Sequence, residues 1–178
     1  MDNMQKGIHY KITHPAHKLW MIALVAAAGS ALCIGILAFV DGVAKGDYLL
    51  VAPFGATMVL VFGLPQSPLA HPKNVVFGHL TTAIIGIIFA NLLPVTFWSL
   101  GLAVGVGIFM MIMLNVTHPP AGGNPLLIML GAHTSILFAF YPIFAGSCFI
   151  VLIALLYHAL VSRLEYAWVN KPKEGKDV

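Results

Sequence analysis

Apolar residues run almost unbroken from Leu19 to Val161, and what divides the run is proline and glycine rather than charge. Leu19 to Val40 is a stretch of about 22 residues, long enough to span a bilayer and longer than the apolar region of a cleavable leader. We therefore expect a first membrane span there, followed by a turn over Asp41–Asp47. Tyr48 to Leu64 is apolar but interrupted at Val51-Ala52-Pro53-Phe54-Gly55-Ala56-Thr57, and it is short for a straight crossing of a roughly 30 Å core. A proline-rich loop covers Pro65–Asn74. Val75–Leu93 and Phe97–Val116 read as two more spans joined by a tight turn at Pro94. Pro119–Gly131 is a second short, broken segment, and Ile136–Val161 is the last span, with Pro142 near its start.

The deepest break is Asn115-Val116-Thr117-His118-Pro119-Pro120-Ala121-Gly122-Gly123-Asn124-Pro125. Proline removes a backbone donor and clashes with the preceding turn, so a helix cannot continue through it. Irregular backbone at membrane depth is tolerated only where protein or a water-filled cavity covers it, and transporters place substrates at such breaks. The two broken segments also resemble each other. At an offset of 67 residues, Pro53 falls on Pro120, Gly55 on Gly122 and Thr57 on Asn124. The chain thus reads as two units of long, broken, long. Three crossings per unit invert the second unit relative to the first, and paired interrupted segments in two halves point to a transport site.

Composition makes the membrane reading firm. Of 178 residues, 60% are hydrophobic and 8% are charged, against about 25% charged in soluble domains. Mean hydropathy is +0.93. Between Tyr48 and Ser162 the only Asp, Glu, Lys or Arg is Lys73. The +3 charge does not point to nucleic acid, because Lys6, Lys11, Lys18, Arg163, Lys171, Lys173 and Lys176 flank the apolar run. The positive-inside rule reads this as two cytoplasmic termini. Six crossings satisfy that reading and place Lys73 on the same side, whereas re-entrant segments would place it opposite. Cys33 and Cys148 lie in apolar runs and read as buried small hydrophobes.

A helix that begins inside the membrane presents free N–H groups and a positive dipole end, which makes an anion site without a charged side chain. Asn124 before Pro125 reads as an N-cap with proline at the first helical position. We expect the backbone of Gly122, Gly123 and Asn124 to face that of Gly55, Ala56 and Thr57 across a small anion. The interval contains no carboxylate, which argues against an acidic cation or proton relay. His118 and His79 are ionisable groups at membrane depth and so candidates for function; the competing reading is a bond to a carbonyl freed by a nearby proline. His133 and His158, near span ends, are expected at the interface. Thr81 and Thr82 are expected to bond their own helix. Lys73 either attracts anions or anchors its loop.

Thr117-His118-Pro119-Pro120-Ala121-Gly122-Gly123 resembles the signature of the HPP family, named for its His-Pro-Pro tripeptide. Ala52–Ala56 resembles that family's first small-residue motif, and Ser67–Asn74 followed by Gly78-His79 resembles its second. The likeness covers roughly Leu19 to Val161. Two positions depart from the pattern, Lys73 where arginine is usual and His71 where glutamine is usual, so an arginine's bidentate grip on an oxyanion is not available. The resemblance implies an integral membrane protein with plastid and cyanobacterial relatives implicated in nitrite transport.

Together these readings lead us to expect an all-α polytopic membrane protein of about six segments in two inverted three-segment repeats. Residues 1–18 would form a basic cytoplasmic segment, 19–162 a transport domain with halves at about 19–93 and 95–162, and 163–178 a cytoplasmic tail. The expected activity is passage of a small inorganic anion, nitrite foremost, across a cell inner membrane, with no enzyme activity, cofactor or metal. The candidate binding residues are Gly55, Ala56, Thr57, Lys73, His79, His118, Gly122, Gly123 and Asn124. The glycines at 101, 105 and 107 suit close helix contact in lipid, and a homo-oligomer, most simply a dimer, is expected. The rival readings are a membrane-embedded enzyme using His118 and His79, and an accessory subunit without transport of its own.

Overall fold

The computed structural model describes residues 16–44 and 49–162. Residues 1–15 of the expected basic segment, residues 45–48 and the expected tail from residue 163 lie outside the described residues. All regular structure among the described residues is helical, as expected where lipid offers the backbone no partner and each segment must close its own hydrogen bonds. Six helices follow in order: α1 Ala16–Ala44, α2 Pro53–Met58 with a π-helical continuation over Val59–Gly63, α3 Pro72–Leu92, α4 Phe97–Met113, α5 Asn124–Leu130 and α6 Ala145–Tyr157. A 3₁₀ turn over Pro119–Gly123 leads into α5, and π-helical turns flank α6 at Ala139–Phe144 and His158–Ser162. Three helical stretches, Leu19–Gly42, Pro72–Leu92 and Ala139–Ser162, are long and apolar enough to cross a membrane, while Pro53–Gly63 and Phe97–Met113 are shorter.

Side-chain contacts fix the direction of each pass. The Asp41 carboxylate near the end of α1 accepts the backbone N–H groups of Leu49 and Leu50, and Phe62 lies against Gly29. The first broken segment therefore returns antiparallel along α1. At the first turn of α3, Lys73 Nζ donates to the Asn115 carbonyl beyond the end of α4, at 3.2 Å. At its last turn, Asn91 Nδ2 donates to the Thr134 carbonyl at 2.9 Å. The stretch 115–134 thus runs beside α3 for its whole length and is a full pass rather than a re-entrant loop. Gly146 lies against Leu49, and the Tyr157 hydroxyl donates to Val25 O at 2.7 Å, so α6 runs antiparallel to α1. The passes alternate, the two halves run in opposite directions, and both ends of the described chain lie at one end of the bundle.

Several boundaries differ from the sequence expectation for local reasons. α1 continues through Asp41 to Ala44. α3 starts three residues early because His71 takes the N-cap, its Nδ1 accepting the Lys73 N–H, and Pro72 takes N1, where its missing N–H costs nothing. α4 stops at Met113 in a Schellman motif. Val116 N–H donates to Met111 O and Asn115 N–H to Ile112 O, with Asn115 left-handed at φ 53° and Val116 buried beside Met111. The last span breaks near its start, where Tyr141 is extended and the Tyr141–Pro142 peptide is cis.

Phe54, Phe62, Leu37, Ile128, Ile143 and Ile150 are fully enclosed, while Leu24, Phe39, Leu92, Phe97, Leu137 and Leu160 project outward. Apolar side chains on both faces are the pattern of a bundle whose solvent is lipid. Small residues set the spacing of the interior. A Cβ on Gly86 would lie 2.9 Å from Pro125 Cα, and one on Gly78 would lie 2.8 Å from Val116 O. Gly107 faces Thr82 and Pro125, whereas Gly101 and Gly105 face outward with nothing near them.

Candidate functional site

Five polar side chains, Thr57, His79, Thr82, His118 and Asn124, are each 0% exposed and meet between the two broken segments and α3. Unpaired polar groups cost heavily in an apolar interior, so such a cluster persists only when its members satisfy one another. α2 contributes one position, α3 two, and the second broken segment two. Thr57 lies one turn into α2, His79 about two turns into α3, and His118 on the extended residue before the 3₁₀ turn. Asn124 opens α5, and Thr82 lies three residues beyond His79 on α3.

The shortest contacts select one assignment of protons, with the Pro53 carbonyl a longer 3.3 Å from the Thr57 hydroxyl. His118 Nδ1 lies 2.8 Å from the Leu69 carbonyl, which can only accept, so Nδ1 carries the hydrogen and Nε2 is an acceptor. Thr57 Oγ1, 3.1 Å away, donates its hydrogen to that nitrogen. The Thr57 hydroxyl then has none left for His79 Nε2 at 2.9 Å, so His79 Nε2–H donates to it. His79 Nδ1 is left as an acceptor and faces Asn124 Nδ2 at 3.0 Å. The same Nδ2 lies 3.0 Å from the His79 carbonyl and 2.9 Å from Thr82 Oγ1. A flipped amide would set two acceptor oxygens against each other at the His79 carbonyl. The result is one directed chain of hydrogen bonds, from Asn124 through His79, Thr57 and His118 to Leu69. Asn124 Oδ1 is buried and accepts no hydrogen bond among the described residues. The His79 ring meets Phe54 edge-on at 5.1 Å and lies 5.1 Å from the His118 ring.

Thr57, His79, His118 and Asn124 are thus brought together, through side chains where the sequence reading emphasised backbone. Asn124 is not an N-cap. Helical backbone already begins at Pro119, so Asn124 falls inside a continuous turn at φ −61° and sends its amide across to α3. Within that turn Ala121 N–H bonds His118 O, and Asn124 N–H bonds Ala121 O. Gly123 lies against Pro53, whose Cγ is 3.5 Å from a built Cβ, so the starts of the two broken segments touch. Gly55 and Gly122 have open space where a side chain would stand, and Gly55 and Ala56 lie on the outer face of α2. Lys73 is outside the cluster, about 9 Å along α3 from His79, and holds the Asn115 carbonyl.

Thr82 bonds its own helix at Gly78 O and His79 O, but it also accepts from Asn124, and its spacing three residues after His79 was the available signal. The Leu69 carbonyl carried no signal at all. His158 is a correction: it is buried rather than interfacial, and its Nε2 lies 2.9 Å from Val61 O in the π-helical turn. Such a turn shifts the backbone pairing of the helix and leaves carbonyls to be met from outside. His133 stacks on Phe138 with centroids 3.9 Å apart.

Comparison with known proteins places the chain among transmembrane proteins. The chain is 28% identical over 149 residues to one transmembrane protein of Dictyostelium discoideum, covering 80% of this chain and 52% of the relative. It is 32% identical over 142 residues to a second from the same organism, covering 76% and 46%. The chain therefore spans about half the length of these relatives. No solved structure matches it. The model of the HPP transmembrane region matches residues 15–167, which takes in all six helices and the buried cluster. The chain belongs to the HPP family of membrane proteins.

Proposed function

We propose that this protein passes a small inorganic anion across a membrane, with nitrite the leading substrate, at the place where its two broken segments meet. The observation that carries the reading is the contact of the segment starts, Pro53 against Gly123, directly beside a buried set of polar groups. Inverted halves that bring interrupted segments together are the arrangement secondary transporters use for their sites. Among the described residues the sole carboxylate is Asp41, and it is engaged by the backbone N–H groups of Leu49 and Leu50. The donors near the junction are neutral, which suits a weakly hydrated monovalent oxyanion. Gly122 leaves room for approach beside the junction. Gly101 and Gly105 face away from the fold, and this supports assembly with a second copy.

The enzymatic alternative has one observation in its favour. Thr57 donates to His118 Nε2 as a nucleophile donates to its base. Yet that hydroxyl is 0% exposed and held between two imidazoles, so no substrate carbonyl can reach it without dismantling the cluster. We therefore favour transport.

The test is uptake by proteoliposomes of the purified protein against a panel of nitrite, nitrate, formate, chloride and bicarbonate. Protein-dependent uptake, fastest for nitrite, is expected and would also dispose of a purely accessory role. Absence of protein-dependent flux for every anion would overturn the reading. Gly122→Leu refines the test: its side chain has space, so folding should survive while uptake is blocked.

A further inference from the structure

We propose that the protein works as two bodies that are not its sequence halves: α1, residues 49–63 and α6 rock against residues 64–134, with Thr57 as the polar latch between them. This rests on the anion-transport reading for its purpose, while the division itself rests on which segments are tied together. In the first body, Asp41 near the end of α1 accepts the N–H groups of Leu49 and Leu50. Toward the start of α1, the Tyr157 hydroxyl holds Val25 O at 2.7 Å, and His158 Nε2 holds Val61 O at 2.9 Å. In the second body, Lys73 holds Asn115 O, His118 holds Leu69 O, Asn124 holds His79 and Thr82, and Asn91 holds Thr134 O. These bonds stitch α3 to the 115–134 segment from its first turn to its last. Packing divides in the same way. α1 packs mainly on residues 59–63 and α6, and α4 on α3, residues 119–123 and α5.

A division between α3 and α4, as the sequence repeat suggests, would break the ties of α3 to 115–134 and of α6 to α1 and Val61. The division proposed here spares all of them. The repeat still relates the two bodies, because the offset of 67 residues carries α1 onto α4, α2 onto α5 and α3 onto α6. The set α1, α2, α6 thus becomes α4, α5, α3, and each sequence half lends its last helix to the other body.

Two pairs of elements face each other across the division: α3 against residues 139–144 and α6, and α2 against residues 119–123. The second pair holds Pro53 against Gly123. Thr57 reaches across it, with Oγ1 2.9 Å from His79 Nε2 and 3.1 Å from His118 Nε2. The chain passes between the bodies twice, each time beside a π-helical turn. Val59–Gly63 leads into Leu64, which leaves the helical region at φ −133°, and Ala139–Phe144 contains the extended Tyr141. Irregular turns at element ends are where a hinge absorbs a change of backbone angle. Rocking of two bundles about a site held between them is how transporters with interrupted helices expose that site to each side in turn.

The experiment uses the full chain, with Cys33 and Cys148 replaced by alanine, in proteoliposomes. Pairs of spin labels are attached at outward-facing positions. Their separations are measured by double electron–electron resonance with and without nitrite, beside nitrite uptake by the same preparations. Trp20, Leu114 and Leu160 are exposed toward one end of the bundle, and Phe39 and Leu92 toward the other. Leu160 and Trp20 share a body but not a sequence half, so their separation should stay fixed. Leu160 and Leu114 share a sequence half but not a body, so their separation should shift by more than about 2 Å. Phe39 and Leu92 also share only a sequence half, and their separation should shift in the opposite sense. Thr57→Val should change the populations of both shifting pairs before nitrite is added, and unchanged populations would overturn the latch. A shift of Leu160–Trp20 with Leu160–Leu114 fixed would assign the motion to the sequence halves and overturn the division. Nitrite uptake with every separation fixed would overturn the rocking and leave the transport reading standing. Shifting pairs without flux of nitrite or any other anion would leave the two bodies standing and overturn their use in transport.

Discussion

Thr57 and Asn124, which stand 67 residues apart at matching positions of the two broken segments, close on opposite nitrogens of one imidazole, that of His79, at 2.9 and 3.0 Å. The partner ring has no twin. Gly146 occupies the equivalent place in the second half and packs on Phe54 instead. The pseudo-symmetric frame therefore encloses an asymmetric site, which sets the tautomer of His79 and gives the hydrogen-bond chain its direction.

Because both residues act on one ring, their removal should not be additive. Asn124→Leu and Thr57→Val are each expected to lower stability by about 1–3 kcal/mol through unpaired buried groups. Once one partner is gone the ring can reorient, so the double variant should lose about 1 kcal/mol less than the sum. Unfolding in detergent, measured for all four proteins, tests this; strict additivity would mean the bonds are independent.

Gly78 is the spacer that lets His118 approach α3. A Cβ there would stand 2.8 Å from the Val116 carbonyl and 2.9 Å from His118 Cβ, against backbone that cannot easily give way. Gly78→Ala should cost about 1–3 kcal/mol and displace His118. A thermal melt unchanged from wild type would show that the 115–118 segment yields freely.

Ala132 terminates α5 in the left-handed region at φ 53°, with His133 N–H on Ile128 O and Ala132 N–H on Met129 O. This is the Schellman geometry that glycine fills without a steric penalty. Ala132→Gly is expected to raise stability by about 1 kcal/mol, with uptake unchanged. A lower unfolding midpoint would contradict the strain argument.

Lys73 places a cation on the carbonyl that follows α4, where it complements the negative end of that helix. Lys73→Met should reduce stability by less than about 1 kcal/mol. Any loss of anion flux should be partial and should fade at high salt, as screening of a surface charge requires. Complete loss at all salt concentrations would place Lys73 in the binding site itself.

The alternating passes predict sidedness. After replacement of Cys33 and Cys148 by alanine, cysteines introduced at Gln66 and at Ser135, both exposed in loops at opposite ends of the bundle, should react with an impermeant thiol reagent from opposite sides of the membrane. Labelling of both from one side would contradict the full pass of residues 115–134.

What the sequence determined by itself was everything that depends on composition and on local backbone chemistry. Lipid as solvent follows from the near absence of charge. Helix as the only element follows from the need to close backbone hydrogen bonds in lipid. The two breaks follow from proline and glycine, and the pairing of Thr57 with Asn124 was legible in the repeat. What only the tertiary structure decided was where the polar side chains turn. Whether Asn124 caps its own helix or crosses to His79 depends on where helical backbone begins, and the 3₁₀ turn set that start at Pro119. The Leu69 carbonyl orients His118 and the Val61 carbonyl holds His158, yet a backbone oxygen has no signature in sequence. Its part in a site arises only when distant segments pack, because packing decides which carbonyls remain free and which side chains are near enough to meet them.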